Sequence, residues 1–271
     1  MSGWTLDNIP WHRFDRELVN PELVRIVKAA SLVEANGARY ARHLCRIFHD
    51  DPAFQASVRR WGEEEQQHGK ALGRWAEMAD SGFDFTAAFA RFRTGYRIDF
   101  DREFSRRGSR PGEMIARCIV ETGTSSYYAA LRDAAREPVL KEICRNIAAD
   151  EVRHYKLFYR QLGHCLAHER VCWWRRLRIA LGRIAEVQDD ELAYAYHAAN
   201  EKGWPYDRRR CRLAYARQAT PIYRERHLAT AVKMLCKTVG IATSGRLCRI
   251  ATHFAWIALR WRAARLAKAA A

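Results

Sequence analysis

The sequence is poor in residues that interrupt helices and in long apolar runs. Its 271 residues include only 15 glycines and 7 prolines, and no segment shows the alternation of β-branched and polar residues that is typical of a half-buried strand. No apolar run approaches the roughly 18 residues that a membrane-spanning helix requires. The first residues also lack the apolar segment of a secretory signal. These absences predict an all-α protein, which we expect to be cytoplasmic.

Paired cysteines are missing as well. The eight cysteines are scattered along the chain without any C-x-x-C spacing. This distribution argues against a cysteine metal site and against a disulfide framework. We therefore expect reduced and mostly buried thiols.

Prolines at four positions mark the starts of four long helices, because proline is favoured in the first turn of a helix. The predicted helices cover about 20–48, 51–80, 109–135 and 137–167. Their connections are short except for one crossover of roughly thirty residues between the second and third helices, which is the topology of a ferritin-like four-helix bundle. Additional helices are expected at about 170–187, 188–202, 206–218, 220–239 and 243–268.

Acidic residues are scarce near the end of the sequence. Residues 208–271 contain 15 Lys and Arg but one acid, Glu225, and residues 169–271 carry +13 of the total formal charge of +16. Such a segment is expected to meet an anionic partner. We predict two parts: 1–168, the bundle with an N-terminal arm, and 169–271, a basic helical extension packed on the bundle.

Two E-x-x-H motifs occur, one in the second predicted helix and one in the fourth. Glu65 and His68 lie in WGEEEQQHG, and Glu151 and His154 lie in IAADEVRHY. On a helix this spacing places both side chains on one face, one turn apart. One match is easily a surface ion pair, but two matches in corresponding helices indicate a shared site.

The first and third predicted helices each supply one further carboxylate. Glu34 lies 31 residues before Glu65, and Glu121 lies 30 residues before Glu151. Each lies in a stripe of mostly small residues, where an uncompensated buried carboxylate would cost several kcal/mol. Metal coordination removes that cost. The sequence therefore contains an internal repeat of a Glu helix followed by an E-x-x-H helix.

Four carboxylates and two imidazoles are the donor set of a di-iron or di-manganese centre in a helical bundle. The two glutamates of the E-x-x-H motifs are expected to bridge the ions, and the other two to bind one ion each. The predicted metal ligands are Glu34, Glu65, His68, Glu121, Glu151 and His154.

Two further acids directly precede the motif glutamates. Metal-bound histidines usually donate their second ring N–H to an acid or a carbonyl. We therefore expect Asp150 to orient His68 and Glu64 to orient His154, the alternative being that both acids face solvent.

These motifs resemble those of soluble acyl-ACP desaturases, a branch of the ferritin-like di-iron carboxylate superfamily. WGEEEQQHG resembles the W-x-x-E-E-x-x-H-G segment of that family, IAADEVRH resembles its A-D-E-x-R-H segment, and the stretch from Glu121 to Thr124 matches its E-x-x-T. The resemblance covers roughly residues 25–160. It implies two iron ions, with manganese as the alternative, and dioxygen as co-substrate. The reaction implied is desaturation or hydroxylation of an acyl chain on acyl carrier protein, with an electron donor such as ferredoxin.

The resemblance also implies roles for two residues outside the ligand set. Thr124 would take part in oxygen activation or proton delivery. Trp61 would pack beside the metal site, although simple core packing explains this tryptophan equally well. A homodimer is expected.

The last predicted helix carries an apolar stripe beside a basic one. The apolar residues are Leu247, Ile250, Phe254, Ile257 and Trp261; the basic ones are Arg246, Arg249, His253 and Arg260. The pattern predicts a helix packed on the bundle with its basic side in solvent. The alternatives are docking of acyl carrier protein and peripheral attachment to an anionic membrane surface. Nucleic acid is possible on charge alone.

Two other functions fit the same ligands. One is a di-iron hydroxylase of RNA or another anionic macromolecule, by analogy of fold. The other is ferritin-like iron handling without an enzymatic role, which predicts a shell-forming oligomer. The long basic extension argues against such a shell.

Overall fold

The computed structural model describes residues 3–96, 105, 107–186, 190–201 and 203–268. Within these residues the chain forms α-helices and short 3-10 turns and no strand, so the predicted all-α class is confirmed. The described helices are α1 (Pro21–Ala35), α2 (Gly37–Ile47), α3 (Pro52–Ala79), α4 (Phe85–Gly95), α5 (Arg110–Ala134), α6 (Pro138–His168), α7 (Trp173–Glu186), α8 (Asp190–Asn200), α9 (Arg208–Ala219), α10 (Glu225–Val239) and α11 (Arg246–Lys268).

The predicted helix over 20–48 is interrupted. Asn36 ends α1 and begins α2, and the Asn-Gly pair at this point has weak helix propensity. The connection between the second and third predicted helices contains α4, while 97–104 and 106 lie outside the described residues. The ferritin-like topology stays a prediction.

Polar side chains cap the long helices where the prolines predict their starts. Asn20 accepts a hydrogen bond from the Glu22 amide and begins α1, and Asp51 accepts one from the Phe54 amide and begins α3. Before α6, the buried Glu137 carboxylate accepts bonds from two backbone amides at 2.7 and 3.1 Å. These bonds satisfy amides that have no partner inside their own helix.

Two compact units make up the structure. Unit 1 comprises Met1–Glu103, Leu131–Asn146 and Gln188–Ala219, and unit 2 comprises Phe104–Ala130, Ile147–Val187 and Thr220–Ala271. In unit 1, α1 packs against α3, α8 and α9, and α2 packs on α3. In unit 2, α10 packs against α7 and α11. The predicted division at residue 168 stays a prediction.

Hydrogen bonds extend the packing of unit 2 around α10. The Tyr155 hydroxyl on α6 donates to the Met234 carbonyl at 2.9 Å, and the Ser126 hydroxyl on α5 donates to the His227 carbonyl at 3.3 Å. The helices that carry Glu121 and Glu151 are therefore held against α10.

The cysteines are free thiols, and six of the eight are buried, in agreement with their predicted state. Burial raises the pKa of Cys118 and of Cys144 far above that of an ordinary thiol, so both stay protonated. Among the described helices, none combines the length and apolar character needed to cross a membrane.

The apolar stripe predicted to pack α11 is exposed, so this part of the prediction is wrong, whereas the basic side of the helix is exposed as predicted. Its five side chains are between 48% and 67% exposed. The packed face is instead formed by Cys248, Thr252, Ala255 and Leu259, which are buried or partly buried. The sequence pattern does not mark this face, because its residues are mostly smaller and less apolar than those of the stripe.

Candidate metal clusters

Unit 1 gathers Glu34, Glu65 and His68 into one cluster. Each offers a ligand atom, and these atoms lie within 4.8 Å of one another. Glu34 and His68 are buried, with 5% and 0% of their surface exposed. The Nδ1 atom of His68 lies 3.4 Å from Oε2 of Glu34. The sequence prediction that these three residues share a site is consistent with this arrangement.

Two glycines allow α1 and α2 to approach α3 closely at this cluster. A Cβ atom on Gly69, next to His68, would lie 2.5 Å from the Ala35 amide nitrogen, next to Glu34. A Cβ atom on Gly37 would lie 2.3 Å from Cβ of Glu65. Real Cβ atoms do not make such contacts, so glycine at both positions sets the helix separation on which the cluster depends.

An N-terminal aromatic residue covers one side of the histidine. The rings of Trp4 and His68 are nearly parallel, with centroids 6.0 Å apart, and Trp4 is buried. The amide of Gln67 also donates to the Trp4 carbonyl at 3.1 Å. Sequence reasoning missed Trp4 because a lone tryptophan before the first helix carries no periodic signal.

Unit 2 gathers Glu121, Glu151 and His154 into a second cluster. Their ligand atoms also lie within 4.8 Å of one another, and all three residues are at most 2% exposed. Nδ1 of His154 lies 3.7 Å from Oε2 of Glu121 and 3.9 Å from Oε1 of Glu151. The second predicted trio therefore has the composition of the first.

Thr124 contacts the second cluster directly. Its hydroxyl is within hydrogen-bond reach of Oε2 of Glu151, and it also lies 3.2 Å from the Val120 carbonyl and 3.3 Å from the Glu121 carbonyl. A threonine hydroxyl has one proton to donate. Its rotation decides whether that proton goes to the carboxylate or to the helix backbone, which makes Thr124 a proton donor beside a predicted ligand.

The surroundings of the second cluster favour neutralisation of the Glu121 carboxylate charge. Burial raises the pKa of Glu121 to about 7; His154 lowers it, and the neighbouring Glu151 raises it. Within the described part of the chain, the buried Oε1 atom of Glu121 accepts no hydrogen bond. A buried carboxylate of this kind is stabilised either by a proton or by a cation.

Both trios fit divalent metal ions. Carboxylate oxygen and imidazole nitrogen are suitable donors for iron and manganese. Two donors about 2.0–2.2 Å from a shared ion lie roughly 3–4 Å apart, and the His–Glu distances of 3.4 to 3.9 Å fall in this range. The same distances are longer than an ordinary N–H···O hydrogen bond. Both trios could therefore hold a metal ion.

The predicted outer partners are only partly located. Asp150 is buried and pairs with Arg153 of its own helix at 2.5 Å. Glu64 is partly exposed. The orientation of His68 by Asp150 and of His154 by Glu64 stays a prediction. Trp61 is buried in unit 1, as both interpretations of it require.

A third group lies elsewhere in unit 1. His197, Glu201 and Cys211 have ligand atoms within 4.8 Å of one another, but Arg210 pairs with Glu201 at 2.5 Å. Burial and then Glu201 raise the pKa of the Cys211 thiol to about 11. The arginine already balances the carboxylate charge, so this group is explained as an ion-pair network.

Comparison with known proteins leaves the family open, because no family model matches the chain and no curated protein is significantly similar to it.

Proposed function

We propose that the two trios together form one dinuclear metal centre in a dioxygen-dependent oxidase or oxygenase. The observation that carries the proposal is the duplication: two sets, each of two glutamates and one histidine and all buried except the partly exposed Glu65, in the order and spacing of the sequence repeat. Their four carboxylates would balance the charge of two divalent ions, which makes a buried dinuclear centre electrostatically favourable.

Iron is the proposed metal, with manganese as the alternative. When bound, two iron ions supply the electrons that reduce dioxygen and the oxidising power that breaks a C–H bond. Glu65 and Glu151 would bridge the ions, while Glu34 and Glu121 would each bind one. Each histidine completes one donor set.

The chain itself supplies exclusion of water and a proton donor. The second trio is almost fully buried, so reactive species formed there would be protected from solvent. Thr124 holds a proton on Oγ1 within reach of Glu151 and is proposed to deliver it during oxygen reduction.

The proposed substrate is an acyl chain or a similar lipid. This part of the proposal rests on the resemblance of the two E-x-x-H segments and of Glu121 to Thr124 to acyl-ACP desaturases. It implies acyl carrier protein as the substrate carrier and a ferredoxin-like electron donor. Desaturation and hydroxylation both begin with C–H abstraction, so the same ligands serve either outcome.

Metal analysis tests the centre. The purified protein would be loaded anaerobically with Fe²⁺, assayed for iron, and followed by optical spectroscopy after exposure to oxygen. We expect two irons per chain and an oxygen-dependent spectrum. Glu65→Ala and Glu151→Ala should each lose iron, whereas Glu63→Ala, an exposed neighbour on α3, should keep both ions. Retention of two irons by Glu65→Ala and Glu151→Ala would refute the proposal.

The substrate is tested separately with the iron-loaded protein. It would be incubated with a reductant, oxygen and either acyl-loaded acyl carrier protein or tRNA, and the products analysed by mass spectrometry. An acyl product lighter by two hydrogens or heavier by one oxygen supports the proposal. If only the tRNA were modified, the proposed acyl-chain activity would be wrong and the protein would be an RNA hydroxylase.

A further inference from the structure

The outer face of α11 is an exposed apolar stripe. Leu247, Ile250, Phe254, Ile257 and Trp261 span about 80° of the helix circumference at 3.6 residues per turn. Their exposed fractions of 48–67% contrast with the 2% of Cys248, which lies on the face that packs within unit 2. The stripe is therefore the side of α11 turned away from its own packing contacts. Contiguous apolar surface of this kind typically marks an interaction site.

The stripe is bordered by positive charge only. Residues 226–268 contain nine Lys and Arg and no Asp or Glu. Arg246, Arg249, His253 and Arg260 are exposed along one side of the stripe. An apolar face flanked by basic residues is the composition of a helix that lies in the plane of an anionic membrane surface.

A second element of unit 2 repeats this composition. At the start of α7, Trp173 and Trp174 stack with ring centroids 3.7 Å apart and are 44% and 65% exposed. Arg175 and Arg178 on the same helix are also exposed. Both α7 and α11 pack on α10, so the exposed aromatic and basic residues of unit 2 occur on two helices of one packed group.

We propose that unit 2 binds the surface of an anionic lipid bilayer through the apolar stripe of α11, with the tryptophan pair of α7 as a second contact. Phe and Trp side chains insert at the level of the lipid headgroups, and arginines beside them contact the anionic groups. No described helix has the properties of a membrane span, so the binding is peripheral. The proposal does not depend on the metal centre.

Two other occupants of the stripe, a second copy of this chain and a nucleic acid, are disfavoured by charge and by chemistry. A second copy of this chain would bring one acid-free basic segment against another, which costs electrostatic energy. A nucleic acid would bind the arginines but leave five large apolar side chains exposed to water. A bilayer uses both features.

Vesicle flotation tests the apolar contact. The full-length protein would be mixed with phosphatidylcholine vesicles that contain phosphatidylglycerol. We expect the wild-type protein to float with the vesicles. The double variant Phe254→Ser/Trp261→Ser should bind them at least about tenfold more weakly. The matched control is Trp204→Ser, which removes an equally exposed tryptophan from unit 1 and should leave flotation unchanged.

Charge is tested with the same assay. The double variant Arg249→Gln/Arg260→Gln should bind phosphatidylglycerol vesicles about 25-fold more weakly, because each basic residue near such a surface contributes about 1 kcal/mol, or about fivefold, and the two factors multiply. Wild type should float poorly with vesicles of phosphatidylcholine alone, and high salt should release it from the anionic vesicles.

Several results would overturn the proposal. One is equal binding of the wild-type protein to neutral and anionic vesicles, and another is unchanged flotation of Phe254→Ser/Trp261→Ser. A third is binding of tRNA that is tighter than binding of the vesicles and that the same variant does not weaken. A dimer in size-exclusion chromatography that the variant dissociates, without vesicle binding by wild type, would assign the stripe to a second copy. Binding of acyl carrier protein that the variant loses, without vesicle binding by wild type, would assign the stripe to that carrier. Circular dichroism and iron content of each variant verify its fold, and an intact iron site with lost flotation separates this proposal from the proposed function.

Discussion

The contact between Gly69 and Ala35 offers the sharpest test of how the first trio is positioned. A Cβ atom at Gly69 would lie 2.5 Å from the amide nitrogen and 2.7 Å from both Cα and Cβ of Ala35. Ordinary carbon–carbon contact is about 3.5–4.0 Å. Substitution with alanine therefore requires α1 and α3 to separate by about 1 Å, because the obstructing atoms belong mostly to backbone.

The expected cost follows from two opposing effects. Overpacking of a close helix contact costs about 1–3 kcal/mol, while replacing a helical glycine with alanine stabilises by about 1 kcal/mol. The net expectation for Gly69→Ala is destabilisation by up to about 2 kcal/mol. Glu34 and His68 directly adjoin the two contacting residues, so their separation of 3.4 Å should lengthen by a similar 1 Å. A displacement of this size is enough to impair a metal site.

Urea unfolding and iron analysis of the same preparations measure both effects. The matched control is Gly163→Ala on α6, where a Cβ atom would meet nothing within 4 Å. That variant should be slightly more stable than wild type and keep its iron. Gly69→Ala should be less stable and lose iron affinity. If both variants were stabilised alike and bound iron alike, the close approach would not position the cluster.

Three further predictions concern individual polar side chains. In urea titrations of the metal-free protein, Glu121→Gln should raise the free energy of unfolding by about 3 kcal/mol near pH 8 but leave it unchanged near pH 4. The reason is that folding raises the pKa of the Glu121 carboxyl to about 7, so the stability that the protonated carboxyl contributes is present below the unfolded pKa of about 4.5 and is lost as pH rises through 7. Equal effects at both pH values would contradict this. Glu137→Ala should lower the free energy of unfolding by about 2–4 kcal/mol and with it the melting temperature, because it removes the hydrogen-bond acceptor of Trp75 Nε1 and of two α6 amides. An unchanged melting temperature would show that the cap is dispensable. Thr124→Val should keep both irons but slow their oxidation by oxygen in stopped-flow measurements, and an unchanged rate would exclude a proton-delivery role.

Much of the candidate site was predictable from the sequence because helical spacing determines which side chains share a face. The E-x-x-H motifs and the two isolated glutamates occur at repeated intervals, and each trio is in fact clustered within its own unit. The helix starts were predictable for a similar reason, since a cap followed by proline is a local signal. The caps and the E-x-x-H pairs depend on residues that are close in sequence, whereas Glu34 and Glu121 were identified by the interval at which they repeat.

Contacts between distant segments that no motif or repeat marks were not predictable. The stacking of Trp4 on His68 and the hydrogen bond from Trp75 Nε1 to the Glu137 carboxylate have no local signature in the sequence. The last helix shows the same limit in another form. Periodicity identified the most apolar stripe of α11, but which stripe of a helix is packed depends on what the rest of the chain presents to it, and here the smaller residues around Cys248 are the packed ones.

The burial of the second trio has a consequence for the coupling of metal and fold. This trio places two carboxylates in a nearly dry environment, and one of them, Glu121, has its pKa raised toward neutrality. Metal-free protein near neutral pH therefore either takes up a proton there or holds a destabilising charge. An ion bound only by the folded state reverses this effect and stabilises by an amount that grows with its concentration over its dissociation constant. The close helix approach at Gly69 and the buried charge at Glu121 thus both couple metal binding to folding. The fold brings the ligands together, and bound ions would offset the free-energy cost of burying their charges.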